Sequence, residues 1–237
     1  MINNDLKKIY QKSKEDFYQE LSEWLIKKSK KIIITANPET FMISEKDQDL
    51  KKILSDSNNS LVPDGIAIVK ACQKFGINIK ERITGIEICE YLLNLANENS
   101  YSLYLFGAKE EVIEKLVKKI QTEYPNIKLL GYQNGYIKNK DEMMEKIVKK
   151  NPDICLVALG IPEQEKTIAR HIKEAKKGIY IGVGGSFDVL SGVKKRAPKL
   201  FIKLNLEWLY RIIKEPKRLK RFWNNNVKFL LKIKKLK

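Results

Sequence analysis

A regular alternation of unbroken apolar segments with helical segments is the feature of this 237-residue sequence that most restricts its fold. The apolar segments predict strands at 32–34, 61–62, 101–106, 127–131, 154–159 and 179–183. Helices are predicted at 5–30, 41–54, 66–76, 109–123, 140–150 and from Pro162 to about residue 177. Strands that are apolar along their whole length are typical of a parallel sheet buried between two layers of helices. We therefore predict an α/β fold, a Rossmann-like, mostly parallel sheet flanked by helices.

The final fifth of the chain differs from the rest in charge. The formal net charge is +17, and residues 194–237 alone contain 16 Lys or Arg against two acidic residues, a net charge of +14. Apolar residues at helical spacing predict two amphipathic helices, over 200–213 and 219–231, separated by Glu215-Pro216. Basic amphipathic helices of this kind are typical of segments that lie in a membrane interface. We therefore predict an α/β core over 1–195 and a helical, membrane-associating appendage over 196–237.

Other features restrict the compartment and the chemistry. No apolar run approaches the roughly 18 residues that span a bilayer, and the N-terminus lacks the apolar segment of a secretory signal. Cys72, Cys89 and Cys155 are scattered through apolar segments, as expected of reduced thiols in a cytoplasmic protein. The single histidine, His171, leaves little basis for a zinc site or a His-dependent triad. We expect a cytoplasmic protein, peripheral on the inner face of the plasma membrane.

Polar residues and glycines follow four of the predicted strands. In parallel sheets, ligands bind in the crevice beyond the carboxyl ends of the strands, so these residues are candidates for a site. They lie in Thr35-Ala36-Asn37-Pro38, Pro63-Asp64-Gly65, Gly160-Ile161-Pro162-Glu163-Gln164-Glu165 and Gly182-Val183-Gly184-Gly185-Ser186-Phe187-Asp188.

Each of these segments also has a purely structural interpretation, and the residues alone leave both open. Asn37 is suited to cap the next helix. Pro63-Asp64-Gly65 is common turn chemistry, although Asp64 would also place a general base at the mouth of the crevice. Gln164 would face the crevice from a helix N-terminus, where a sugar hydroxyl could bind. The Gly184-Gly185 turn could hold a diphosphate through backbone N–H groups, although the segment lacks the third glycine of a dinucleotide-binding fingerprint.

Taken together, motifs at these and other positions resemble one enzyme family. The matching segments, in order, are Thr35-Ala-Asn37, Pro63-Asp64-Gly65, Arg82-Ile-Thr-Gly85, Leu105-Phe-Gly107, Gly160-x-Pro162-x-Gln164-Glu165, Gly182-Val-Gly-Gly-x-Phe-Asp188, Arg196-Ala-Pro198, and Glu207-Trp208-Leu-x-Arg211 followed by Glu215-Pro216-x-Arg218-x-x-Arg221. They extend from about residue 31 to residue 221, and eight in the same order make the chain similar to the WecG/TagA/CpsF glycosyltransferases, family 26. One departure is Glu87, where the family usually has Asp, and we leave Glu87 out of the predicted site.

The resemblance implies an activity. Members of the family join N-acetylmannosamine from its UDP donor to undecaprenyl-diphosphate-linked N-acetylglucosamine through a β-1,4 bond. In Gram-positive bacteria this reaction builds the linkage unit of wall teichoic acid. An α-linked donor that gives a β-linked product implies one inverting displacement. Some relatives use other sugars, such as N-acetylmannosaminuronic acid or glucose, so the donor sugar stays open.

The resemblance also implies roles for individual residues. Asp64 would be the general base that takes the proton from the acceptor 4-hydroxyl as it attacks the anomeric carbon. The substrate-binding positions would be Thr35, Asn37, Arg82 and Gln164 for the sugars, Gly184 and Gly185 for the donor diphosphate, and Tyr136 and Asp188 for the uridine.

No metal and no other cofactor is expected. Asp47-Gln48-Asp49 matches the Asp-x-Asp pattern by which many glycosyltransferases hold a metal ion. In a continuous helix, however, residues two apart point about 200° apart and cannot chelate together, so we interpret the pair as a solvated helix face. Without a metal, protein cations must neutralise the leaving group.

The tail arginines Arg211, Arg218 and Arg221 match the tail arginines of the family, and they are the remaining catalytic candidates. A guanidinium group matches the geometry of phosphate oxygens, so these residues would meet the donor or lipid diphosphate when the tail folds over the pocket at the membrane. The alternative is that they only attract anionic lipid.

Two other classes of protein compete with this interpretation. A basic stretch with Trp208, Phe222 and Trp223 could grip nucleic acid, but its apolar residues on one helix face favour a membrane surface, so no nucleic acid is expected. The other competitor is a phosphate-binding α/β module without catalysis. A homo-oligomer is a further possibility, driven by apolar surface that a displaced tail would uncover.

Overall fold

The computed structural model describes residues 2–236, except for the side chain of Asn3. Six strands form one sheet in the order β2-β1-β6-β5-β3-β4, and every neighbouring pair is parallel. The strands are β1 (Lys30–Ala36), β2 (Ser60–Pro63), β3 (Ser102–Gly107), β4 (Lys128–Gln133), β5 (Ile154–Ala158) and β6 (Gly178–Gly182). The predicted α/β class, with a Rossmann-like parallel sheet between helices, is confirmed.

Helices cover both faces of the sheet. They are α1 (Ile2–Leu6), α2 (Lys14–Ile26), α3 (Pro38–Ser44), α4 (Gln48–Ser55), α5 (Ile66–Lys74), α6 (Gly85–Asn99), α7 (Glu110–Glu123), α8 (Lys140–Lys150), α9 (Glu163–His171), α10 (Ser186–Leu190), α11 (Lys199–Lys203), α12 (Glu207–Lys214), α13 (Arg218–Phe222) and α14 (Lys228–Lys235), with a 3-10 turn at Ile172–Glu174 and a π turn at Trp223–Val227.

Alternate residues of each strand supply the two hydrophobic cores. Ile33 packs in one core with residues of α2, α6, α7 and α10. Ile32 and Ile34 pack in the other, with residues of α3, α4, α5, α8, α9 and α14. The alternation follows from the strand geometry, in which successive side chains point to opposite faces. Since both faces are buried, the strands need no polar positions, which explains their unbroken apolar sequences.

Three predicted helices are each divided in two, and a capping side chain or a backbone angle marks each break. The predicted helix 5–30 becomes α1 and α2, because Ser13 and Asp16 form a capping box that starts α2. The predicted helix 41–54 breaks at Asp47, whose carboxylate accepts hydrogen bonds from the first backbone N–H groups of α4. The predicted helix 200–213 becomes α11 and α12, with Asn205 between them at a φ of 58°.

The sequence analysis assigned no element to α6, which at 15 residues is the longest helix in the described part of the chain. Thr84 and Glu87 form its capping box: the Glu87 carboxylate accepts from the Thr84 hydroxyl at 2.6 Å and from its backbone N–H at 3.3 Å. Glu87 therefore has a structural task at the start of the helix, next to the loop that carries Arg82.

The last helix, α14, belongs to one of the two hydrophobic cores. Phe229 is fully buried and Ile233 is 4% exposed, and the ring of Phe229 lies 6.0 Å from that of Phe41 on α3. The ammonium group of Lys74 donates to the carbonyl oxygens of Ile233 (2.6 Å) and Leu236 (2.8 Å) at the end of the helix. The division at residue 195/196 stays a prediction, but the end of the predicted appendage is firmly packed on the core.

The apolar side chains predicted to share one face of the tail are largely exposed. Leu219, Trp223 and Leu231 are each more than half exposed, and Leu230 is 40% exposed. Leu230 and Leu231 directly follow the buried Phe229 on α14, so part of the tail is held by the protein and part faces outward. Within residues 2–236, no helix has both the length and the apolar character that a membrane span requires.

Candidate active site

The strand order places the four predicted strand exits, meaning the residues that directly follow the carboxyl end of a strand, next to one another. Asp64 lies at the exit of β2. β2, β1, β6 and β5 are consecutive in the sheet, so the residues that follow them share one edge. The Asp64 backbone N–H donates to the Ala36 carbonyl at 2.9 Å, and the Thr35 hydroxyl donates to the Gly182 carbonyl at 3.1 Å. These bonds join the exits of β2, β1 and β6 into one continuous surface, as the rule for parallel sheets predicts.

Asp64 is a partly buried carboxylate between charges of both signs. Burial raises the pKa of Asp64 to about 6, because the charged form loses solvation; nearby Arg211 opposes this rise, Glu207 adds to it and Arg82 opposes it. Such a group is mostly ionised at neutral pH and still has appreciable proton affinity, which suits a general base. The turn interpretation also holds, since Gly65 adopts a φ of 106° that an L-residue rarely tolerates. The turn therefore holds the Asp64 carboxylate at the edge of the sheet.

Arg82 reaches the same place from the loop before α6. The backbone N–H of Ile83 donates to the Pro63 carbonyl at 2.9 Å, which fixes this loop against the exit of β2. The Arg82 guanidinium is 3.1 Å from the Glu207 carboxylate and donates to the Ile202 carbonyl at 3.3 Å. A predicted sugar-binding residue of the core thus contacts the C-terminal tail.

Gln164 joins the exits of β5 and β6. Its side chain is buried, and its carbonyl oxygen accepts from the backbone N–H groups of Gly160 (3.2 Å) and Gly184 (3.1 Å). Its amide nitrogen donates to Glu165 at 2.7 Å. A Cβ at Gly182 would lie 2.6 Å from that nitrogen, so a larger residue there would displace the Gln164 side chain. The Gly184 N–H is therefore engaged by Gln164, and the sugar and diphosphate roles of these two residues stay predictions.

Asn37 has the capping role that its sequence position allowed. Its side-chain oxygen accepts from the backbone N–H groups of Glu39 (2.9 Å) and Thr40 (3.2 Å) at the start of α3. The Glu39 carboxylate in turn accepts hydrogen bonds from two nitrogens of the Arg221 guanidinium, Nε at 2.9 Å and Nη2 at 2.7 Å. The tail therefore meets the exit of β1 at the N-terminus of α3. Sugar binding by Asn37 stays a prediction.

Each predicted tail arginine lies near a carboxylate. Arg211 is 3.7 Å from Glu207, Arg218 is 2.7 Å from Glu215, and Arg221 pairs with Glu39 as described. Lys194 links Glu215 to one further acid, with its ammonium group 3.1 Å from Glu215 and 3.6 Å from Asp188. Arg211 also opposes the rise that burial causes in the pKa of Asp64, and an ion-pair chain connects Arg218 to Asp188, the residue predicted to contact uridine.

Tyr136 lies farther along the sheet edge. It follows β4, three strand positions from β6, which corresponds to roughly 14 Å at the usual strand spacing. Its side chain is 77% exposed and lines an open hollow with Lys109, Glu110 and Asn134. The structure therefore places Tyr136 apart from Asp188, and their shared contact with a uridine stays a prediction.

The Asp47-Gln48-Asp49 segment does not lie on one continuous helix face. Since the helix breaks at Asp47, both carboxylates can approach the same group, and both contact the ammonium of Lys166, at 2.9 and 3.4 Å. Within the described chain, no three His, Cys, Asp or Glu side chains are grouped as metal ligands would be. The prediction of a metal-independent enzyme is untested by these contacts.

Comparison with known proteins decides the family. The sequence matches the Glycosyl transferase WecG/TagA/CpsF family over residues 6–237. A Bacillus subtilis (strain 168) protein named N-acetylglucosaminyldiphosphoundecaprenol N-acetyl-beta-D-mannosaminyltransferase is 44% identical over 190 residues, which cover 80% of this chain and 74% of that protein. A Staphylococcus aureus (strain MW2) protein of the same name is 37% identical over 206 residues, covering 86% of this chain and 80% of that protein.

The chain belongs to the WecG/TagA/CpsF glycosyltransferase family. It is therefore a glycosyltransferase, and the resemblance read from its motifs is confirmed. The two competing classes, a nucleic-acid-binding protein and a phosphate-binding module without catalysis, are not needed to explain the chain.

Three carboxylates of this glycosyltransferase have contacts that sequence reasoning did not assign. Glu207 pairs with Arg82, Glu39 pairs with Arg221, and Glu165 accepts the Gln164 amide. Glu165 is 2% exposed, and burial raises its pKa to about 7. Glu165 and Glu207 belong to the family motifs quoted above, and this membership was the sequence signal that could have identified them. Their contacts could not be predicted, because the partner of Glu207 is distant in the sequence and Glu165 lies on a buried face.

Proposed function

We propose that this glycosyltransferase moves N-acetylmannosamine from a UDP donor to N-acetylglucosaminyldiphosphoundecaprenol, forming a β-1,4 bond. The names of the relatives support the acceptor and the transferred sugar. The acceptor 4-hydroxyl oxygen bonds to the anomeric carbon while the bond to the UDP oxygen breaks, and UDP keeps that electron pair. The hydroxyl proton passes to Asp64. One displacement inverts the anomeric centre, and in a Gram-positive cell the product would enter the linkage unit of wall teichoic acid.

The observation that carries this proposal is the environment of Asp64. Its carboxylate stands where adjacent strand exits meet, burial raises its pKa to about 6, and the cations of Arg82 and Arg211 lie beside it. A base near neutral pKa is the group that the displacement needs, because the hydroxyl becomes acidic only as the new bond forms. Neighbouring cations are suited to the diphosphate that leaves.

The donor diphosphate would be held without a metal. In this proposal Arg218 and Arg221 exchange their carboxylate partners for diphosphate oxygens, which match the guanidinium fork better than one carboxylate oxygen does. Arg211 contacts the diphosphate with N–H groups that do not face Glu207, and it keeps its place beside that carboxylate. Turnover should then be unchanged by excess EDTA. Loss of activity with EDTA, restored by added Mg²⁺ or Mn²⁺, would contradict the metal-independent form of the proposal.

The tail would bind the inner leaflet of the plasma membrane, where the acceptor lipid is. The exposed Leu219, Trp223, Leu230 and Leu231 provide apolar contact, and the tail's net charge of +14 provides attraction to anionic lipid. Sedimentation with vesicles should be strong with anionic phospholipid, weak with neutral phospholipid, and reduced by salt. Tighter binding to an oligonucleotide than to anionic vesicles at the same salt concentration would contradict this part.

The activity is tested with a panel of donors. Purified enzyme is incubated with a synthetic lipid-diphosphate N-acetylglucosamine acceptor and UDP-linked N-acetylmannosamine, N-acetylmannosaminuronic acid or glucose. UDP release and the disaccharide product are both measured, because UDP alone also arises from hydrolysis. We expect product only, or at least about tenfold faster, with UDP-N-acetylmannosamine. Preference for another UDP-sugar would change the proposed donor. Absence of any acceptor-dependent product would overturn the proposed function.

A further inference from the structure

Glu207 lies buried between two arginines at the predicted active site. It is 7% exposed and is the first residue of α12 in the tail. One carboxylate oxygen is 3.1 Å from the Arg82 guanidinium, and the other is 3.7 Å from that of Arg211. The second oxygen is fully buried, and it has no hydrogen-bond partner among the described residues. A buried carboxylate in this position is costly unless cations compensate it, so its place between two guanidiniums is informative.

The contacts of Arg82 show what the carboxylate holds. Within residues 2–236, both polar contacts recorded for the Arg82 guanidinium come from the tail, namely Glu207 and the Ile202 carbonyl. The Arg82 backbone, in contrast, is tied to the core through the bond between Ile83 and Pro63. The tail therefore sets the direction of a side chain whose backbone stands next to Asp64.

The charges around Asp64 indicate why a carboxylate is needed there. Arg82 and Arg211 favour the ionised form of Asp64, whereas Glu207 and Glu87 oppose it. Without Glu207, two guanidiniums would be left beside one aspartate, and a direct ion pair would hold its carboxylate and weaken it as a base. Glu207 competes for both guanidiniums and so leaves the Asp64 oxygens available.

We propose that Glu207 is a positioning residue of the transfer reaction, which directs Arg82 and Arg211 to the substrates and keeps them from pairing with Asp64. This inference rests on the proposed function. It gives the tail a role in catalysis beyond its arginines and its membrane contact, because α12 must be docked for the base and its neighbouring cations to be arranged correctly.

The test compares wild type with Glu207→Gln, Glu207→Asp and Glu45→Gln. Glu45→Gln is the matched control, since Glu45 also joins core and tail through an ion pair, with Lys232, and within residues 2–236 it forms no ion pair with a predicted site residue. For each protein, kcat and KM are measured from about pH 4.5 to about pH 8 with UDP-N-acetylmannosamine and the lipid-diphosphate acceptor. Thermal unfolding is recorded at the same pH values.

We expect Glu207→Gln to lower kcat at least about tenfold at pH 7 and to move the acidic limb of the kcat/KM profile to lower pH by about half a unit or more. Glu207→Asp keeps the charge, but the shorter side chain places the carboxylate farther from Arg82. We therefore expect kcat to fall while the acidic limb of the kcat/KM profile stays in place. Glu45→Gln should match wild type in both measurements. If Glu207→Gln unfolds at the assay temperature, Glu207→Asp alone tests the inference. Its kcat must then fall while the acidic limb of its kcat/KM profile stays at the wild-type pH.

Other results would overturn the inference. A Glu207→Gln enzyme with an unmoved acidic limb, and a loss of kcat that only follows its loss of thermal stability, would show a purely structural residue. A Glu207→Asp enzyme with wild-type kcat would do the same. Failure of the proposed function is a separate outcome, because wild type and Glu45→Gln would then also make no acceptor-dependent product.

Discussion

Asp64 and Glu165 are two carboxyl groups at the same edge of the sheet whose pKa values are raised by burial, to about 6 and about 7. Their neighbours give them different tasks. Asp64 is partly accessible and has cations beside it, which suits proton transfer. Glu165 is 2% exposed, accepts the amide of Gln164, and has a second, buried oxygen that has no hydrogen-bond partner within residues 2–236. Glu165 thus stabilises the Gln164 arrangement that joins two strand exits.

Replacing Glu165 by glutamine should stabilise the protein at alkaline pH. The folded-state pKa of Glu165 is raised from 4.5 to about 7, so ionisation in the folded state costs free energy. This cost is absent below about pH 4.5 and fully present above about pH 7. We expect Glu165→Gln to raise the free energy of unfolding by about 1–3 kcal/mol at pH 8, relative to wild type. Urea unfolding at pH 5 and pH 8 measures it.

The difference between the two pH values is the control, because glutamine does not titrate. The gain in stability should be clearly smaller at pH 5 than at pH 8. An equal change at both pH values would show a packing effect and would contradict a raised pKa for Glu165.

At the residue scale, the sequence predicted where the candidate site residues lie better than it predicted which residues they contact. Asp64 and Gln164 stand at strand exits, and the parallel-sheet rule brought those exits to one edge. The capping role of Asn37 was also foreseen, because caps depend on local sequence. The contact between Glu207 and Arg82 was not, since it joins two distant segments, and nothing local distinguishes a carboxylate that pairs across the fold from one that faces water.

At the scale of elements, the tail is held on the core at several places, including the Arg221–Glu39 pair of α13. α12 docks through the Glu207–Arg82 pair, and α14 docks through Phe229 and Ile233. α13 and the π turn connect these anchors and expose Leu219 and Trp223. Sequence periodicity identified an apolar tail helix but could not separate the residues that pack on the protein from those that face outward, because both are equally apolar.

Removing the Phe229 side chain should release the end of the tail. Phe→Ala in a core typically costs about 3–5 kcal/mol, which is enough to undock a short terminal helix. The many lysines and arginines of the tail then become accessible, so trypsin should cleave Phe229→Ala in the tail at least about tenfold faster than wild type. Mass spectrometry of the fragments locates the cuts.

Leu231→Ala is the matched control on the same helix, because Leu231 is 53% exposed. Its tail should be cleaved at the wild-type rate. Equal cleavage of both variants would contradict the anchoring role of Phe229.

Among the tail cations, Arg221 should affect catalysis and Lys232 should not. Arg221 meets Glu39 at the start of α3, beside the predicted site, whereas Lys232 pairs with Glu45 elsewhere on the core. We expect Arg221→Gln to lower kcat by about 10²-fold, as loss of a charge-stabilising group does, while binding to anionic vesicles stays near wild type. Lys232→Gln removes the same charge from the tail and is the control. Parallel losses of turnover and vesicle binding in Arg221→Gln would assign it to lipid attraction alone.

At the scale of the whole molecule, the fold class followed from the sequence because buried parallel strands need continuous apolar runs. All six strands were predicted near their observed positions. The strand order did not follow from the sequence, since it depends on long-range packing. Helix α6 was overlooked, although its capping box and its apolar stripe over Ile86–Ala96 mark it. The order β2-β1-β6-β5 matters most for function, because it places the exits that carry Asp64, Thr35, Gly184 and Gln164 side by side.

The same architecture places the C-terminal tail across the carboxyl edge of the sheet. A core residue, Arg82, and a tail residue, Arg211, then both favour the ionised form of one carboxylate, Asp64. The central claim is that this carboxylate is the general base of sugar transfer, and that the surrounding charges set its proton affinity.

The most direct test is kcat/KM as a function of pH for wild type, Asp64→Asn and Asp56→Asn, with UDP-N-acetylmannosamine and a lipid-diphosphate N-acetylglucosamine acceptor. Asp56 is an exposed aspartate after α4 and serves as the control. Since the base must be ionised, wild-type and Asp56→Asn values should fall about tenfold per pH unit below about pH 6. Asp64→Asn should be about 10²–10⁴-fold slower at pH 7, without that dependence. Wild-type turnover in Asp64→Asn would contradict the account.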